Sequence, residues 1–141
     1  MNVFVDTSAF LALLDAADRA HAPARKAWEG LLAPEVRLYT NNYVLVETLA
    51  LIQRKLGLGV VRVFEEDVLP VFSVVWVDEA AHKSAVNALL AASRRELSLV
   101  DCVSFETMRK LGLRTVFSFD RHFGEQGFEL VQGQEELLER K

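Results

Sequence analysis

The sequence predicts an α/β domain in which a central, mainly parallel sheet of four or five strands is covered by helices on both faces. Short apolar runs typical of buried strands alternate with longer segments of helical periodicity along the whole chain. The length of 141 residues, of which 51% are hydrophobic, suffices for one substantial core, so we expect residues 1–141 to form a single domain. The lone cysteine, Cys102, excludes an internal disulfide, and we expect it to pack in the core.

Proline, glycine and asparagine mark the elements of the N-terminal half. Pro23 suits the first turn of a helix, whereas Pro34 and Pro70 each end one. The asparagine pair at 41–42 can cap a long helix that Gly57 ends. The predicted order is a strand over residues 2–5, a helix over 9–17, a helix that begins near 23 and runs through 31, a strand over 37–40, and helices over 43–56 and 60–69.

The C-terminal half continues the alternation of strands and helices. Residues 72–77 contain Val, Phe and Trp, which favour a buried strand, and we expect Trp76 to lie in the core together with Trp28. Two helical stretches follow, the second of which Ser98 can cap and Gly112 ends. The predicted order is a strand over residues 72–77, helices over 79–95 and 99–111, and strands over 115–119 and 128–131.

Charge and hydropathy bound the class of protein. The net charge of −4, from 16 basic and 20 acidic residues, disfavours a nucleic-acid partner because phosphate binding is driven by clustered Lys and Arg. Four of the acids, however, belong to the unusual set described next, and the other 16 balance the 16 basic residues. The chain shows no signal-peptide pattern, and no run approaches the ~20 apolar residues of a membrane helix. We therefore expect a cytoplasmic protein with no membrane partner.

Four acids lie inside or at the end of apolar runs, where a solvated charge is least expected. Asp6 and Asp120 each follow a predicted strand, Asp101 lies in the first turn of a helix, and Glu47 lies on the apolar stripe of another. Because the carboxyl ends of parallel strands meet at one edge of a sheet, all four can meet there. A buried carboxylate is costly unless a cation or a donor compensates it, and oxygen ligands favour Mg²⁺ or Mn²⁺. The sequence therefore predicts a metal site suited to phosphodiester hydrolysis.

Each acid also has an ordinary structural explanation. Asp6 and Asp120 can cap the turns or helices that follow their strands, and a helix dipole favours Asp101. Glu47 can form a buried ion pair with an arginine. One shared function explains the four together better than four separate structural roles do. The three histidines lack the spacing of zinc ligands, and we expect His122 either on the surface or against a substrate phosphate.

In this order and spacing, the four acids resemble the PIN domain, and most of all the ribonuclease toxins of VapBC-type toxin–antitoxin pairs. The motifs are Val-Asp6-Thr-Ser after the first strand, a helical Glu47, Leu-Ser-Leu-Val-Asp101 opening a helix, and Phe-Ser-Phe-Asp120-Arg-His-Phe after a late strand. The resemblance covers nearly the whole chain and implies a PIN-like three-layer sandwich. It implies that the four acids bind Mg²⁺ or Mn²⁺ and act in catalysis, with Ser8 and Ser118 as supporting hydroxyls.

The same resemblance implies an endoribonuclease that cuts a structured RNA, such as tRNA or rRNA, and leaves a 5′-phosphate and a 3′-hydroxyl. It also implies a homodimer and a cognate antitoxin whose tail lies in an apolar groove. Core packing is the alternative role for most of the side chains that would form this groove. They are Phe10, Leu11, Leu14, Leu45 and Leu49.

The non-enzymatic alternative is a binding module whose acidic pocket captures a basic peptide or partner protein. Such a pocket would bind a divalent ion weakly, and magnesium would compete with the peptide. Two other phosphate-handling classes do not fit. A haloacid-dehalogenase-type enzyme needs a second Asp two residues after the first, where this chain has Ser8, and a phospho-acceptor receiver domain needs adjacent early acids and a late Lys.

Overall fold

The structure is a computed structural model that describes residues 1–131, and these form a five-stranded, entirely parallel sheet flanked by α-helices. The strands are β1 (Asn2–Val5), β2 (Arg37–Asn41), β3 (Phe72–Val75), β4 (Thr115–Phe117) and β5 (Glu129–Leu130). The helices are α1 (Thr7–Leu14), α2 (His21–Leu31), α3 (Asn42–Leu56), α4 (Leu58–Val63), α5 (Glu79–Ala92), α6 (Leu99–Leu111) and α7 (Arg121–Glu125). No helix among these is long and apolar enough to cross a membrane.

The strand order, β3-β2-β1-β4-β5, places β1 at the centre of the sheet. Val3 pairs with Leu38 of β2 on one side and with Thr115 of β4 on the other. Val3, Phe4 and Val5 are at most 1% exposed, which explains why this strand is an uninterrupted apolar run. From β1 the chain adds β2 and β3 on one side of the sheet and then β4 and β5 on the other, so the switch point lies between β1 and β4. Open α/β sheets bind ligands beyond the carboxyl ends of the strands at such a point.

The helices form two layers around this sheet. Because crossovers between parallel strands are right-handed, α1 to α4 cover one face and α5 to α7 cover the other. Phe10 packs edge-to-face on Phe64 with ring centroids 5.0 Å apart, and Phe105 packs in the same way on Phe123, also at 5.0 Å. The architecture confirms the predicted three-layer α/β sandwich with a parallel sheet.

The long helix α3 begins and ends where the sequence predicts. The side chain of Asn41 accepts a hydrogen bond from the backbone N–H of Val44 at 2.8 Å and so caps the helix. Asn42 does not share this role, because its side chain accepts a bond from the backbone N–H of Val77 at 2.7 Å. Gly57 follows the helix with a φ of 93°, a value that favours glycine. The asparagine pair thus fixes α3 both to its own first turn and to the segment after β3.

Several predictions about the ends of elements are wrong. The helix predicted over residues 79–95 ends at Ala92, the strand predicted over 115–119 ends at Phe117, and α7 is a helix that the sequence does not indicate. The helix predicted over residues 60–69 is α4, which ends at Val63 and is followed by a π-helical turn over Phe64–Val68 and a 3₁₀ turn over Leu69–Val71. The first helix ends at Leu14 rather than at residue 17. β3 ends at Val75, so Trp76 lies beyond the strand and is 74% exposed rather than in the core. Residues 132–141 of the predicted single domain lie outside the described part of the chain.

The predicted apolar groove is only partly accessible. Phe10 is fully buried and Leu45 is 8% exposed, so both belong to the core rather than to a surface groove. The remaining predicted groove residues are half-buried and pack against the core from outside. They are Leu11, Leu14 and Leu49.

Candidate active site

Asp6 lies directly after β1, and its buried carboxylate faces the segment that follows β4. Its Oδ2 atom accepts hydrogen bonds from the hydroxyls of Ser8 and Ser118, each at 2.9 Å. Its backbone N–H donates to the carbonyl of Phe117 at 3.1 Å, which fixes it between the two strands. The carboxylate makes no capping hydrogen bond to α1. The ordinary explanation of Asp6 as a helix cap therefore does not hold.

Ser8 and Ser118 connect Asp6 to the backbone of the neighbouring segment. The hydroxyl oxygen of Ser8 accepts a hydrogen bond from the N–H of Phe119 at 2.9 Å. That of Ser118 accepts one from the N–H of Asp120 at 3.0 Å. Each serine thus donates to the carboxylate of Asp6 and accepts from a backbone amide on the way to Asp120. This network holds the two aspartates at the same edge of the sheet, and the supporting role of both hydroxyls stays a prediction.

Asp101 lies in the first turn of α6 and closes a reciprocal capping box with Ser98. The hydroxyl of Ser98 accepts from the N–H of Asp101 at 3.0 Å, and the Oδ2 atom of Asp101 accepts from the N–H of Ser98 at 3.1 Å. The predicted cap at Ser98 is confirmed. The capping box engages one oxygen of the carboxylate and fixes its orientation, so a structural role and a place in the site are compatible for this residue.

Asp120 precedes α7, and its Oδ1 atom accepts a hydrogen bond from the backbone N–H of His122 at 2.9 Å. The Nδ1 atom of His122 lies 2.9 Å from the same oxygen, but outside hydrogen-bond geometry, and it has no other partner among residues 1–131. Three donor atoms lie within 4.8 Å of one another here, one each from Asp101, Asp120 and His122. The sequence alone does not indicate that His122 belongs to this group, because the direction of its side chain is set by the first turn of α7.

Glu47 is half-buried on α3 and lies in a shallow pocket beside the start of α6, lined also by Tyr43, Val46 and Val100. Val100 is the residue before Asp101, so the pocket adjoins the acidic site. The structure does not bring Glu47 into the group of donor atoms around Asp101. Within the described part of the chain, no Lys or Arg forms an ion pair with Glu47, so the predicted alternative of an arginine partner finds no support.

Comparison with known proteins matches the family model of the PIN domain to residues 3–129. The chain belongs to the PIN domain family. It is 35% identical over 127 residues to the 23S rRNA-specific endonuclease VapC20 of Mycobacterium tuberculosis, an alignment that covers 89% of this chain and 95% of the relative. The predicted family is confirmed.

Solved structures agree with the PIN fold. The crystal structure of VapC20 from Mycobacterium tuberculosis, a sarcin–ricin loop cleaving toxin, matches with a TM-score of 0.79 and 34% identity, over 89% of this chain and 95% of that chain. FitAcB from Neisseria gonorrhoeae matches with a TM-score of 0.67 and 16% identity, over 92% of this chain and 96% of that chain. The second match shows the shared fold alone.

The carboxylates of this PIN domain oppose each other's ionisation. Burial, followed by the negative charge of Asp101, raises the pKa of Asp6 from 3.8 to about 6, although the bonds from Ser118 and Ser8 act in the other direction. Burial and the charge of Asp120 also raise the pKa of Asp101, against the hydrogen bonds from Ser98. The site therefore accumulates negative charge that a cation would stabilise.

The metal-free PIN domain should lose stability as the pH rises from about 4 to about 6. The folded chain holds the proton of Asp6 more tightly than the unfolded chain does, because the pKa changes from 3.8 to about 6 on folding. The stabilisation is complete below the lower value and is lost through the higher one, with a cost of at most about 3 kcal/mol. Urea unfolding in EDTA across this pH range measures the effect. If the free energy of unfolding changes with pH to the same extent in the Asp6→Asn variant, Asp6 does not cause the loss of stability.

The donor set of the site fits a divalent cation. Asp101 and Asp120 offer carboxylate oxygens, which suit Mg²⁺ and Mn²⁺, within 4.8 Å of the His122 nitrogen. Asp6 is outside this group of donor atoms, but it is close enough for the charge of Asp101 to raise its pKa. The Nδ1 atom of His122 is buried beside Asp101 and Asp120 without a hydrogen-bonding partner among residues 1–131, as expected of an atom that lacks its natural ligand. Both the charge and the unsatisfied nitrogen are compensated if a cation binds here.

Ser118→Ala should lower both stability and any activity of this site. The change removes a hydrogen bond to buried Asp6 and leaves the N–H of Asp120 without its hydroxyl acceptor, at a cost of about 1–3 kcal/mol. Ser104→Ala is the matched control, since Ser104 is also fully buried but bonds to Asn41 at 3.4 Å. Thermal unfolding measures the loss of stability, and the affinity for a metal ion measures the effect on the site. Equal metal affinity in both variants would contradict a supporting role for Ser118.

Proposed function

We propose that this PIN domain is a metal-dependent endoribonuclease and the toxin of a type II toxin–antitoxin pair. The observation that carries the proposal is the acidic site itself at the switch point of the sheet, where burial and the charges of neighbouring carboxylates raise the pKa of Asp6 and of Asp101. A buried charge cluster of this kind is costly for folding and is typical of functional sites. The similarity to VapC20 gives the reaction class.

Asp6, Asp101 and Asp120 would hold Mg²⁺ or Mn²⁺, with Glu47 reaching in from the adjoining pocket. A cation held by these residues would supply two things, a lower pKa of a water molecule and compensation of the charge that grows on the phosphate. Ser8 and Ser118 keep the site in place, since their hydroxyls donate to the carboxylate of Asp6 and so orient it. In the hydrolysis, the water oxygen bonds to phosphorus and the bond to the 3′-oxygen breaks. The 3′-oxygen takes up a proton, which leaves a 3′-hydroxyl and a 5′-phosphate.

The substrate class that the relatives favour is ribosomal RNA rather than tRNA. VapC20 is a 23S rRNA-specific endonuclease and cleaves the sarcin–ricin loop. Because the two proteins are 35% identical over most of both chains, we propose a structured loop of ribosomal RNA as the substrate class of this PIN domain as well.

Two synthetic RNAs test this proposal. One is a hairpin with the sarcin–ricin sequence, and the other is a tRNA stem–loop of equal length. We expect cleavage of the first in Mg²⁺ or Mn²⁺ and none in EDTA. Cleavage of the tRNA hairpin alone would overturn the substrate but keep the nuclease. Cleavage that continues unchanged in EDTA would overturn metal dependence.

Glu47→Gln separates a four-acid site from a three-acid site. If Glu47 reaches the cation, removal of its charge should weaken Mn²⁺ binding and reduce cleavage by about 10- to 100-fold, with little change in metal-free stability because the side chain is only half-buried. Glu106→Gln on α6 is the control, since Glu106 accepts a hydrogen bond from Ser84 at 2.7 Å outside the site. Cleavage and Mn²⁺ affinity equal to the wild type would remove Glu47 from the proposed site.

We further propose a cytoplasmic protein that forms a homodimer and binds a cognate antitoxin. The similarity to the toxin VapC20 supports a protein partner, and Val46, Trp76 and Leu90, which are 68%, 74% and 71% exposed, are apolar side chains that a partner would cover. Light scattering of the purified chain, alone and with its antitoxin, measures both assemblies. A monodisperse monomer at high concentration would overturn the dimer.

A further inference from the structure

We propose that His122 is a nitrogen ligand of the cation site, beside Asp101 and Asp120, and that it makes this PIN domain bind Mn²⁺ in preference to Mg²⁺. The inference rests on the proposed metal site and adds a ligand to it. An imidazole changes the chemistry, because nitrogen donors suit transition-metal ions whereas Mg²⁺ favours oxygen.

The contact between His122 and Asp120 brings two donor atoms together. The Nδ1 atom lies 2.9 Å from the Oδ1 atom of Asp120, so a protonated imidazole would form an ion pair with the carboxylate. The pair is outside hydrogen-bond geometry, and Nδ1 has no hydrogen-bond partner among residues 1–131. Two donors bound at about 2.1 Å and at right angles to one octahedral ion are about 3 Å apart. The observed separation is therefore compatible with two ligands of the same ion.

The position of the imidazole is fixed by the fold around it. The backbone N–H of His122 donates to Asp120, and the N–H of Asp120 donates to Ser118, which links both residues to the network around Asp6. The next residue, Phe123, is fully buried and anchors α7 against Phe105. The side chain of His122 is itself only 18% exposed. The nitrogen is thus held in place before any ion binds, which reduces the entropic cost of coordination.

The proposal predicts an effect on metal selectivity that a merely structural role would not produce. In His122→Gln, affinity for Mn²⁺ should fall by about 10-fold or more, while affinity for Mg²⁺ should change much less. His21→Gln is the matched control, since it removes an imidazole whose Nδ1 atom lies 2.8 Å from the carbonyl of Ala12 in a different part of the fold. Titration calorimetry with each metal alone measures the affinities of the wild type and of both variants.

Pulsed electron paramagnetic resonance of bound Mn²⁺ tests the ligand directly. We expect modulation from a directly coordinated ¹⁴N nucleus, its replacement by the ¹⁵N pattern in protein grown with ¹⁵N-histidine, and its loss in His122→Gln but not in His21→Gln. The labelled wild-type protein decides between nitrogen and oxygen ligation even if His122→Gln does not fold.

The outcomes separate this inference from the proposed function. Bound Mn²⁺ without nitrogen coupling would overturn the role of His122 while leaving metal-dependent cleavage intact. Coupling that survives in folded His122→Gln would also overturn it. Nitrogen coupling in a protein that cleaves no RNA would support the ligand and contradict the nuclease. A protein that binds no Mn²⁺ would overturn both.

Discussion

Asp6→Asn is expected to abolish RNA cleavage and, at the same time, to stabilise the metal-free protein at neutral pH. The substitution removes a buried charge whose pKa is raised to about 6, so it relieves a destabilisation of at most about 3 kcal/mol. The amide oxygen of Asn can still accept the hydrogen bonds from Ser8 and Ser118. Cleavage should fall by about 10³-fold or more, because loss of a metal ligand removes several kcal/mol of transition-state stabilisation.

The opposite directions of these two effects make the experiment informative. Replacing a residue that stabilises the fold makes the protein less stable. Replacing a residue that serves function but destabilises the fold makes the protein more stable. Asp67→Asn is the control, since Asp67 is exposed in the π-helical turn and should change neither quantity. Cleavage is followed on a labelled RNA hairpin and stability by urea unfolding in EDTA. A less stable Asp6→Asn protein, or one that still cleaves, would contradict the assignment.

Asp101→Asn should also abolish cleavage, with metal-free stability unchanged or raised. The amide oxygen of Asn can accept the N–H of Ser98, so the capping box survives, while repulsion with Asp120 is removed. We expect a loss of activity as large as that of Asp6→Asn. Glu106→Gln, on the same helix, controls for the loss of one negative charge. A clear loss of metal-free stability would instead identify Asp101 as a structural cap.

The fold could be predicted because its strongest signals are local. β1 is apolar at every position from Val3 to Val5, as a central parallel strand must be, and Gly57 ends α3 where the sequence indicates. The errors lie where the tertiary structure decides. Trp76 is exposed because β3, an edge strand, ends at Val75, the residue before it. The periodicity of the sequence does not show that this strand lies at the edge. The π-helical turn after Val63 is too short to be distinguished from an α-helix by its pattern.

The site could be predicted to the extent that it depends on topology. Asp6 and Asp120 follow neighbouring parallel strands, so their meeting follows from the strand order. The position of Glu47 depends on how α3 packs against α6, and that of His122 on the first turn of α7, and neither is recorded in the spacing of residues. Sequence also could not separate capping from function, since Asp101 and Asp120 take part in caps and in the donor group together.

We propose above all that this PIN domain cuts RNA at its acidic site with the help of a divalent ion. We would incubate the purified, antitoxin-free protein with total cellular RNA, in Mn²⁺ and in EDTA, beside Asp6→Asn, and sequence the new 5′-phosphate ends. We expect discrete new ends in the large-subunit rRNA that require the metal and are missing with Asp6→Asn. The absence of new ends, with protein shown to be folded and free of partners, would contradict the nuclease and favour an acidic pocket that captures a basic peptide.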